Sequence, residues 1–306
     1  MSETAIGLLG LGNMGAAIGD RLLDVGTPLL VHDLDPLAMQ RLEERGARTT
    51  SSAREVADGA AVVIASLPTV KVSRSVAAEV AAGSRVHHYI ETSTIGPDAA
   101  REIAGIMATQ GVEFIDAAVS GGAPVARQGA LAIMLAARAE ARIAVRPVLE
   151  RLSTSIFDIG DQPGQAQLMK LVNNVVAAAN MASAFEALVM GTRLGLDAKV
   201  MIDVLNAGSA RSMALVDRRA SAILSGRFDS GPRLGLLHKD VQLAVEAAAT
   251  VDFPLDAAPT LIGAAQLWEK AVQAGMAEDD VSALIRVVEE QAGVEVRNGE
   301  RHSGDA

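Results

Sequence analysis

The chain has 306 residues, half of them hydrophobic, 21% charged and only 2% aromatic. That length suffices for two ordinary domains, and the balance is that of a folded globular protein whose core must be built from Ala, Val, Leu, Ile and Met. A net charge of -10 without any basic block excludes a nucleic-acid-binding surface, and the lack of cysteine excludes disulfides, thiolate catalysis and Cys-ligated metals.

In chain order, the first half alternates. Apolar runs of β type at 6–9, 28–32, 61–65, 86–91, 114–119, 131–135 and 156–159 are separated by helical patterns over 14–25, 36–45, 53–58, 71–82, 97–110 and 140–152. Strands alternating with helices predict βαβ units and a mainly parallel, doubly wound sheet. After Gly164 the alternation stops. To about Gly293 the pattern is helical, punctuated by Gly195, Gly208, Gly226, Gly231-Pro232, Pro254, Pro259 and Gly275. The reading is an α/β domain over 1–162, an all-α domain over 163–296 and a polar, disordered tail over 297–306. The start, Met-Ser-Glu-Thr, lacks the positive region of a signal peptide, and apolar runs break well before 18 residues. No membrane segment is therefore expected, and the cytoplasm is the expected compartment. The five histidines show no metal-ligand spacing, so no metal is expected.

The first strand runs into Gly10-Leu-Gly12-Asn13-Met14-Gly15, which opens a helix. Gly10 permits a tight turn, Gly12 lets backbone approach a pyrophosphate, and Gly15 lets helix and strand pack closely. The helix N-terminus then offers N–H groups to phosphates. The second strand ends at Asp33, where a carboxylate accepts hydrogen bonds from an adenosine ribose and repels a 2′-phosphate. Leu34 follows where users of NADP often have arginine, so NAD is expected over NADP. A glycine turn without ligand is the competing reading. Further groups follow later strands: Leu67-Pro68-Thr69, then Glu91-Thr92-Ser93-Thr94 ahead of Pro97. In a doubly wound sheet, ligands lie beyond the carboxyl ends of strands. Leu67, Pro68 and Thr94 are therefore candidates to line the cofactor, although Thr94 or Gly96 could equally cap the helix that Pro97 begins. Ser120-Gly121-Gly122 after the fifth long strand offers backbone N–H groups to a carboxylate or phosphate, or is an ordinary loop.

Lys170 stands inside the apolar stretch from Gly164 to Asn180, which reads as a helix apolar on nearly all sides and hence buried. Lysine is scarce, at five of the 27 basic residues. Desolvation favours the neutral amine, which can serve as an acid/base. The rival reading is a lysine that snorkels to the surface. Asn174, four residues on, shares its face. His238-Lys239-Asp240 sits in a second helical pattern, where Lys239 could reach the same site, and Asp240 could pair with it or with Lys170.

In order and spacing, five stretches resemble the β-hydroxyacid dehydrogenases, which include 3-hydroxyisobutyrate dehydrogenase and tartronate semialdehyde reductase. These are Gly10–Gly15, Thr92-Ser-Thr-Ile-Gly-Pro97, Asp116-Ala-Ala-Val-Ser-Gly-Gly122, Gly164 through Lys170-Leu-Val-Asn-Asn174, and Leu236-Leu-His-Lys-Asp240. The resemblance implies an NAD-dependent oxidoreductase acting on a small 3-hydroxy acid. Lys170 would be the catalytic lysine and Asn174 its assistant. Ser120, Gly121 and Gly122 would hold the substrate carboxylate, and Lys239 would lie near the nicotinamide. It further implies a Rossmann domain, a long interdomain helix and a homodimer or homotetramer joined through the helical domain. Glu91, Ala118, Val125 and Pro232 depart from the usual Asp, Pro, Gly and Phe, and bear on substrate identity. The alternatives are an imine reductase, which commonly lacks a lysine at position 170, a sugar-acid or phosphosugar dehydrogenase, and a non-catalytic dinucleotide-binding protein. A phosphosugar would call for basic residues such as Arg127, Arg211 or Arg233.

Overall fold

The computed structural model describes residues 5–298. The chain divides into two compact units between Lys170 and Leu171. That is eight residues beyond the boundary read from the pattern, because the first turn of the next helix is hydrogen-bonded into the sheet.

The first unit holds one eight-stranded sheet: β1 (Ile6–Leu9), β2 (Leu29–His32), β3 (Arg48–Thr49), β4 (Val62–Ala65), β5 (His88–Glu91), β6 (Glu113–Ser120), β7 (Ala132–Ala136) and β8 (Ser155–Gly160). The order is β3-β2-β1-β4-β5-β6-β7-β8, and every pairing is parallel except β6 with β7. The order reverses between β1 and β4, so the ends of these two strands form the switch point where such sheets bind ligands. The helices are α1 (Asn13–Asp24), α2 (Pro36–Glu43), α3 (Ala53–Gly59), α4 (Val70–Ala81), α5 (Pro97–Ala108), α6 (Gly122–Arg127) and α7 (Ala139–Leu152). Local chemistry sets their starts: Asp35, Ser52 and Thr69 each accept a first-turn N–H, and Pro97 opens α5.

Strand side chains alternate between two cores. Leu8, Ile64, Ile90 and Ile115 stand in register on one face, where they join Ile18, Leu22, Val145 and Leu149 of the helices. Leu9, Val63, Tyr89 and Phe114 line the opposite face with Val56, Val80 and Ile103. Burial on both faces is why these strands read as continuous apolar runs rather than as alternation.

The helix α8 (Gln165–Arg193) has 29 residues, about 44 Å at 1.5 Å per residue. Length and composition alone would let it cross a membrane. Its apolarity is instead that of a core helix, since Ala178, Met181, Phe185, Leu188 and Val189 are packed inside the helical unit. It is not covered on all sides, which corrects the expectation from sequence. Val172, Val176 and Met190 are 54%, 50% and 62% exposed. Buried positions follow the three-and-four spacing of one face, and the alanines and methionines elsewhere hid that stripe.

The second unit continues with α9 (Ala198–Ala207), α10 (Asp217–Ser225), α11 (Leu234–Ala249), α12 (Pro259–Gln273) and α13 (Ile285–Ala292), with short 3₁₀ turns. Its core gathers around Trp268, with Phe185, Leu188, Leu234, Leu284 and Ile285. Two residues of the expected tail are held in place. Arg297 donates to Glu289 at 2.7 Å and lies over the Phe228 ring, and the Asn298 N–H donates to the Leu224 carbonyl. Residues 299–306, the rest of that tail, lie outside the described residues.

Candidate active site

The glycine loop leaves β1 at the switch point. Gly10 has φ +81°, which disfavours any side chain, and a Cβ there would strike the Ser66 carbonyl. A Cβ on Gly15 would strike the Gly10 carbonyl oxygen, so α1 crosses β1 as closely as backbone allows. Gly12 is the opposite case: it is exposed, and a Cβ would meet nothing within 4 Å. Gly12 is also the N-cap of α1, whose first turn has no side-chain cap and no acidic residue. Uncapped N–H groups beside open space fit a pyrophosphate. Asn13 is exposed and Met14 half-buried beside it. Asp33 ends β2. One of its oxygens accepts the Leu11 N–H at 2.5 Å and the other the Asp35 N–H at 2.8 Å. The carboxylate is thus aimed from the glycine loop itself and keeps lone pairs for ribose hydroxyls. Leu34 is 91% exposed, so no cation from that position offsets the aspartate.

The ends of β4, β5 and β6 are tied by buried polar groups. The Thr92 hydroxyl donates to the Ala65 carbonyl at 2.7 Å, and Ser93 Oγ accepts the Leu67 N–H at 2.7 Å. These two hydroxyls hold the Leu67-Pro68 loop rather than awaiting a ligand. Thr94 is half-buried, and the residue that caps α5 is Gly96. Glu91, fully buried, accepts the Ser93 N–H at 3.0 Å and the Tyr89 hydroxyl at 3.2 Å. Burial pushes its carboxyl up to about 7, against the lowering effect of the Ser93 bonds, and the neighbouring Asp116 charge adds to the rise. Asp116 is likewise fully buried, and burial raises it to about 6 against four hydrogen bonds.

The raised Glu91 has a consequence for stability. Between an ordinary carboxyl value of 4.5 and about 7, the unfolded chain has released a proton that the folded chain retains. Stability is therefore lost as pH rises through that window. E91Q, which cannot titrate, is expected to gain on the wild type by up to about 3 kcal/mol from roughly pH 5 to pH 8. Urea unfolding at both pH values checks this, and a constant gap would mean that Glu91 ionises as freely folded as unfolded.

Ser120 ends β6, Gly121 follows with φ +135°, and Gly122, with φ +79°, opens α6. Both glycines are exposed and α6 has no side-chain cap, so the loop presents backbone rather than side chains. The sequence predicts no helix here, because six residues opened by a glycine carry no period. Lys170 lies on α8 and is only 9% exposed, against the snorkelling alternative. Asn174, one turn on, is also buried. Its Nδ2 donates to Asp240 at 2.6 Å and its Oδ1 accepts from Asn173 at 2.9 Å. Asp240 is the partner that orients Asn174, and it pairs with Lys239 at 3.3 Å as well. The sequence points Asp240 to a lysine and leaves its bond to the Asn174 amide unmarked. The sequence assigns nothing to Gln167, whose side-chain amide makes four hydrogen bonds that join α8 to the sheet; an apolar run conceals a lone glutamine, and its partners lie 51 to 74 residues away.

Two of the three arginines considered for a phosphorylated substrate are spent internally. Arg127 donates to Asp20 at 3.0 Å and Arg233 to Glu278 at 2.6 Å.

Comparison with known proteins places the chain among dehydrogenases. Residues 5–160 match the family model described as the NAD binding domain of 6-phosphogluconate dehydrogenase, and residues 164–288 match that for NAD-binding of NADP-dependent 3-hydroxyisobutyrate dehydrogenase. The 2-(hydroxymethyl)glutarate dehydrogenase of Eubacterium barkeri is 32% identical over 96% of this chain and 98% of its own. A Mycobacterium tuberculosis 3-hydroxyisobutyrate dehydrogenase, solved with L-serine, is 32% identical with TM-score 0.82, covering 94% of this chain and 99% of that one. An imine reductase from Streptomyces aurantiacus is 22% identical with TM-score 0.63, covering 92% and 99%, and shares the fold alone.

Proposed function

The chain belongs to the β-hydroxyacid dehydrogenase family, and from that premise we propose a substrate class and a role for each site residue. The protein is an NAD-dependent oxidoreductase acting on the CH–OH group of a small 3-hydroxy acid. 3-Hydroxyisobutyrate, 2-(hydroxymethyl)glutarate and serine, the compounds in the relatives' names, share one skeleton. Each has a carboxylate on carbon 1, a primary alcohol on carbon 3 and a variable group on carbon 2. The proposed substrate is a 3-hydroxypropionate with a variable group on carbon 2. A phosphosugar is disfavoured, because Arg127 and Arg233 are already neutralised by carboxylates.

NAD supplies the hydride acceptor in oxidation and, reduced, the donor in reverse. The N–H groups of Gly12 to Gly15 hold its phosphates, with Asn13 and Met14 beside them, and Asp33 holds its ribose. Leu67, Pro68 and Thr94 line it at later strand ends. Ser120 Oγ and the N–H groups of Gly121 and Gly122 bind the substrate carboxylate. Lys170 Nζ, as the neutral amine, accepts the proton of the carbon-3 hydroxyl and returns it in reduction. The roles of Asn174 and Lys239, in the helical unit, rest on the family resemblance. The burial of Lys170 carries this reading, since an amine on α8 screened from water exchanges its proton with a bound hydroxyl rather than with solvent. The exposed apolar face of α8 supports pairing of two copies through the helical unit, as a homodimer or homotetramer, and the cytoplasm is the proposed compartment.

A panel of alcohols with NAD tests the substrate class: 3-hydroxyisobutyrate, 2-(hydroxymethyl)glutarate, L-serine, glycerate, 4-hydroxybutyrate and 6-phosphogluconate. The expected result is the highest kcat/KM on a member with the carbon-1 carboxylate and carbon-3 primary alcohol. Preference for 4-hydroxybutyrate or 6-phosphogluconate would overturn the assignment.

A further inference from the structure

Strand β6 carries two things: Ser120 at its end and, four residues earlier on the same face, Asp116. Asp116 is fully buried in an apolar sheet, where a carboxylate is retained only if hydrogen bonds compensate for its lost water. All its bonds go to the start of the helix that bears Lys170. Its Oδ2 accepts the N–H groups of Gly164 at 2.9 Å, Ala166 at 3.1 Å and Gln167 at 3.3 Å. Its Oδ1 accepts from Gln167 Nε2 at 3.0 Å. A carboxylate is well placed at these otherwise orphan N–H groups, where the helix dipole is positive.

Gln167 completes the connection. Its Nε2 donates to the Ser93 carbonyl at 3.1 Å as well as to Asp116, and its Oε1 accepts the N–H groups of Ile95 at 2.9 Å and Gly96 at 3.2 Å. Two donors and both acceptor lone pairs are thus used, and the amide cannot be turned over without facing like against like. Packing closes the same joint: Ala118, between Asp116 and Ser120, clusters with Ala166, two small residues that let α8 approach the sheet. Gly164 enters the turn at φ +94°, where a Cβ would come within 2.9 Å of the Pro97 carbonyl. The first turn of α8 is therefore held from β6, from the loop after β5 and from Pro97. Lys170 lies one turn beyond Gln167 on the adjoining face.

We propose that Asp116 and Gln167 are positioning residues for Lys170: they fix the axial register of α8 on β6, and so the distance from the lysine amine to the Ser120–Gly122 loop. This rests on the proposed roles of Lys170 and that loop. A substrate with its carboxylate on carbon 1 and hydroxyl on carbon 3 is short and cannot adapt to a displaced base. One strand carries both the anchor of the base and the anchor of the carboxylate, so their spacing follows the strand. Displacement of about 1 Å in such a geometry is enough to cost on the order of a hundredfold in rate.

The test is D116N in the full-length protein with NAD and the best hydroxy acid of the panel, beside K170A as reference. Asn keeps one acceptor and turns a donor toward donors. The expected result is kcat lowered about tenfold to a hundredfold, with the basic limb of the pH–kcat profile displaced. KM for the hydroxy acid and the dissociation constant for NAD stay within about threefold, since neither site's own groups have changed. A role in stability alone would lower the folded fraction and leave kcat per folded molecule and its pH profile as in the wild type; that outcome overturns the proposal. Should D116N fail to fold, Q167M, which removes the amide bonds without removing a charge, is read in the same way. An active K170A would sink the reading of the base itself, whereas an inactive K170A beside a normal D116N would sink only the positioning role.

Discussion

Replacing Lys170 by Ala is expected to lower turnover by roughly two to four orders of magnitude, the usual contribution of a positioned acid/base. The affinity for NAD should be nearly unchanged. The two effects separate because their groups do. Phosphates and ribose are assigned to Gly12–Gly15 and Asp33, at the start of the sheet. The hydroxyl proton is assigned to a single amine on α8, 9% exposed and with no other lysine within the apolar stretch. Arginine cannot substitute, since a guanidinium holds its proton at any working pH; K170R is expected to be as inactive as K170A. Initial rates on the preferred hydroxy acid and fluorescence titration with NADH measure the two quantities. Turnover within about threefold of the wild type would remove Lys170 from the mechanism.

Trp268→Ala is expected to destabilise the helical unit by about 3–5 kcal/mol, the range for truncating a fully buried large aromatic. The chain has one Trp, one Tyr and five Phe, so few side chains could fill the space left. Trp268 is completely buried among Phe185, Leu188 and Ile285, and its Nε1 donates to the Ala178 carbonyl on α8 at 3.3 Å. Truncation therefore opens a cavity and removes a donor from the helix that bears Lys170. Urea unfolding followed by far-ultraviolet circular dichroism reads the loss. A change below about 1 kcal/mol would mean that the alanine-rich helices collapse onto the gap, which their small side chains would have to permit.

The outcome at α8 shows how far composition carries. Its apolar stretch announced a core helix and a desolvated lysine, and Lys170 is indeed buried. The same stretch suggested cover on every side, yet Val172, Val176 and Met190 stand exposed. The exposed stripe of α8 mixes Val172, Val176 and Met190 with Asn180, Ser183 and Glu186, so no continuous polar face marks its outer side and hydrophobicity alone could not assign it.

From sequence alone came the strand–helix alternation, the glycine turn, Asp33 at the next strand end and the lysine in an apolar helix. Each is written in neighbouring residues: a short apolar run or a repeat of 3.6, a glycine where no Cβ fits, a carboxylate eighteen positions on. Only the folded chain decided the rest. β3, two residues long, and α6, six residues that begin with Gly122, are too short to show a period. The ties from Ser93 to Leu67, from Asp116 to Gly164 and Gln167, and from Asn174 to Asp240 join positions 26 to 66 residues apart. Such pairs leave no trace in local pattern, because a buried carboxylate or amide is stabilised by whatever three-dimensional packing brings against it, and the sequence around it looks like any other core.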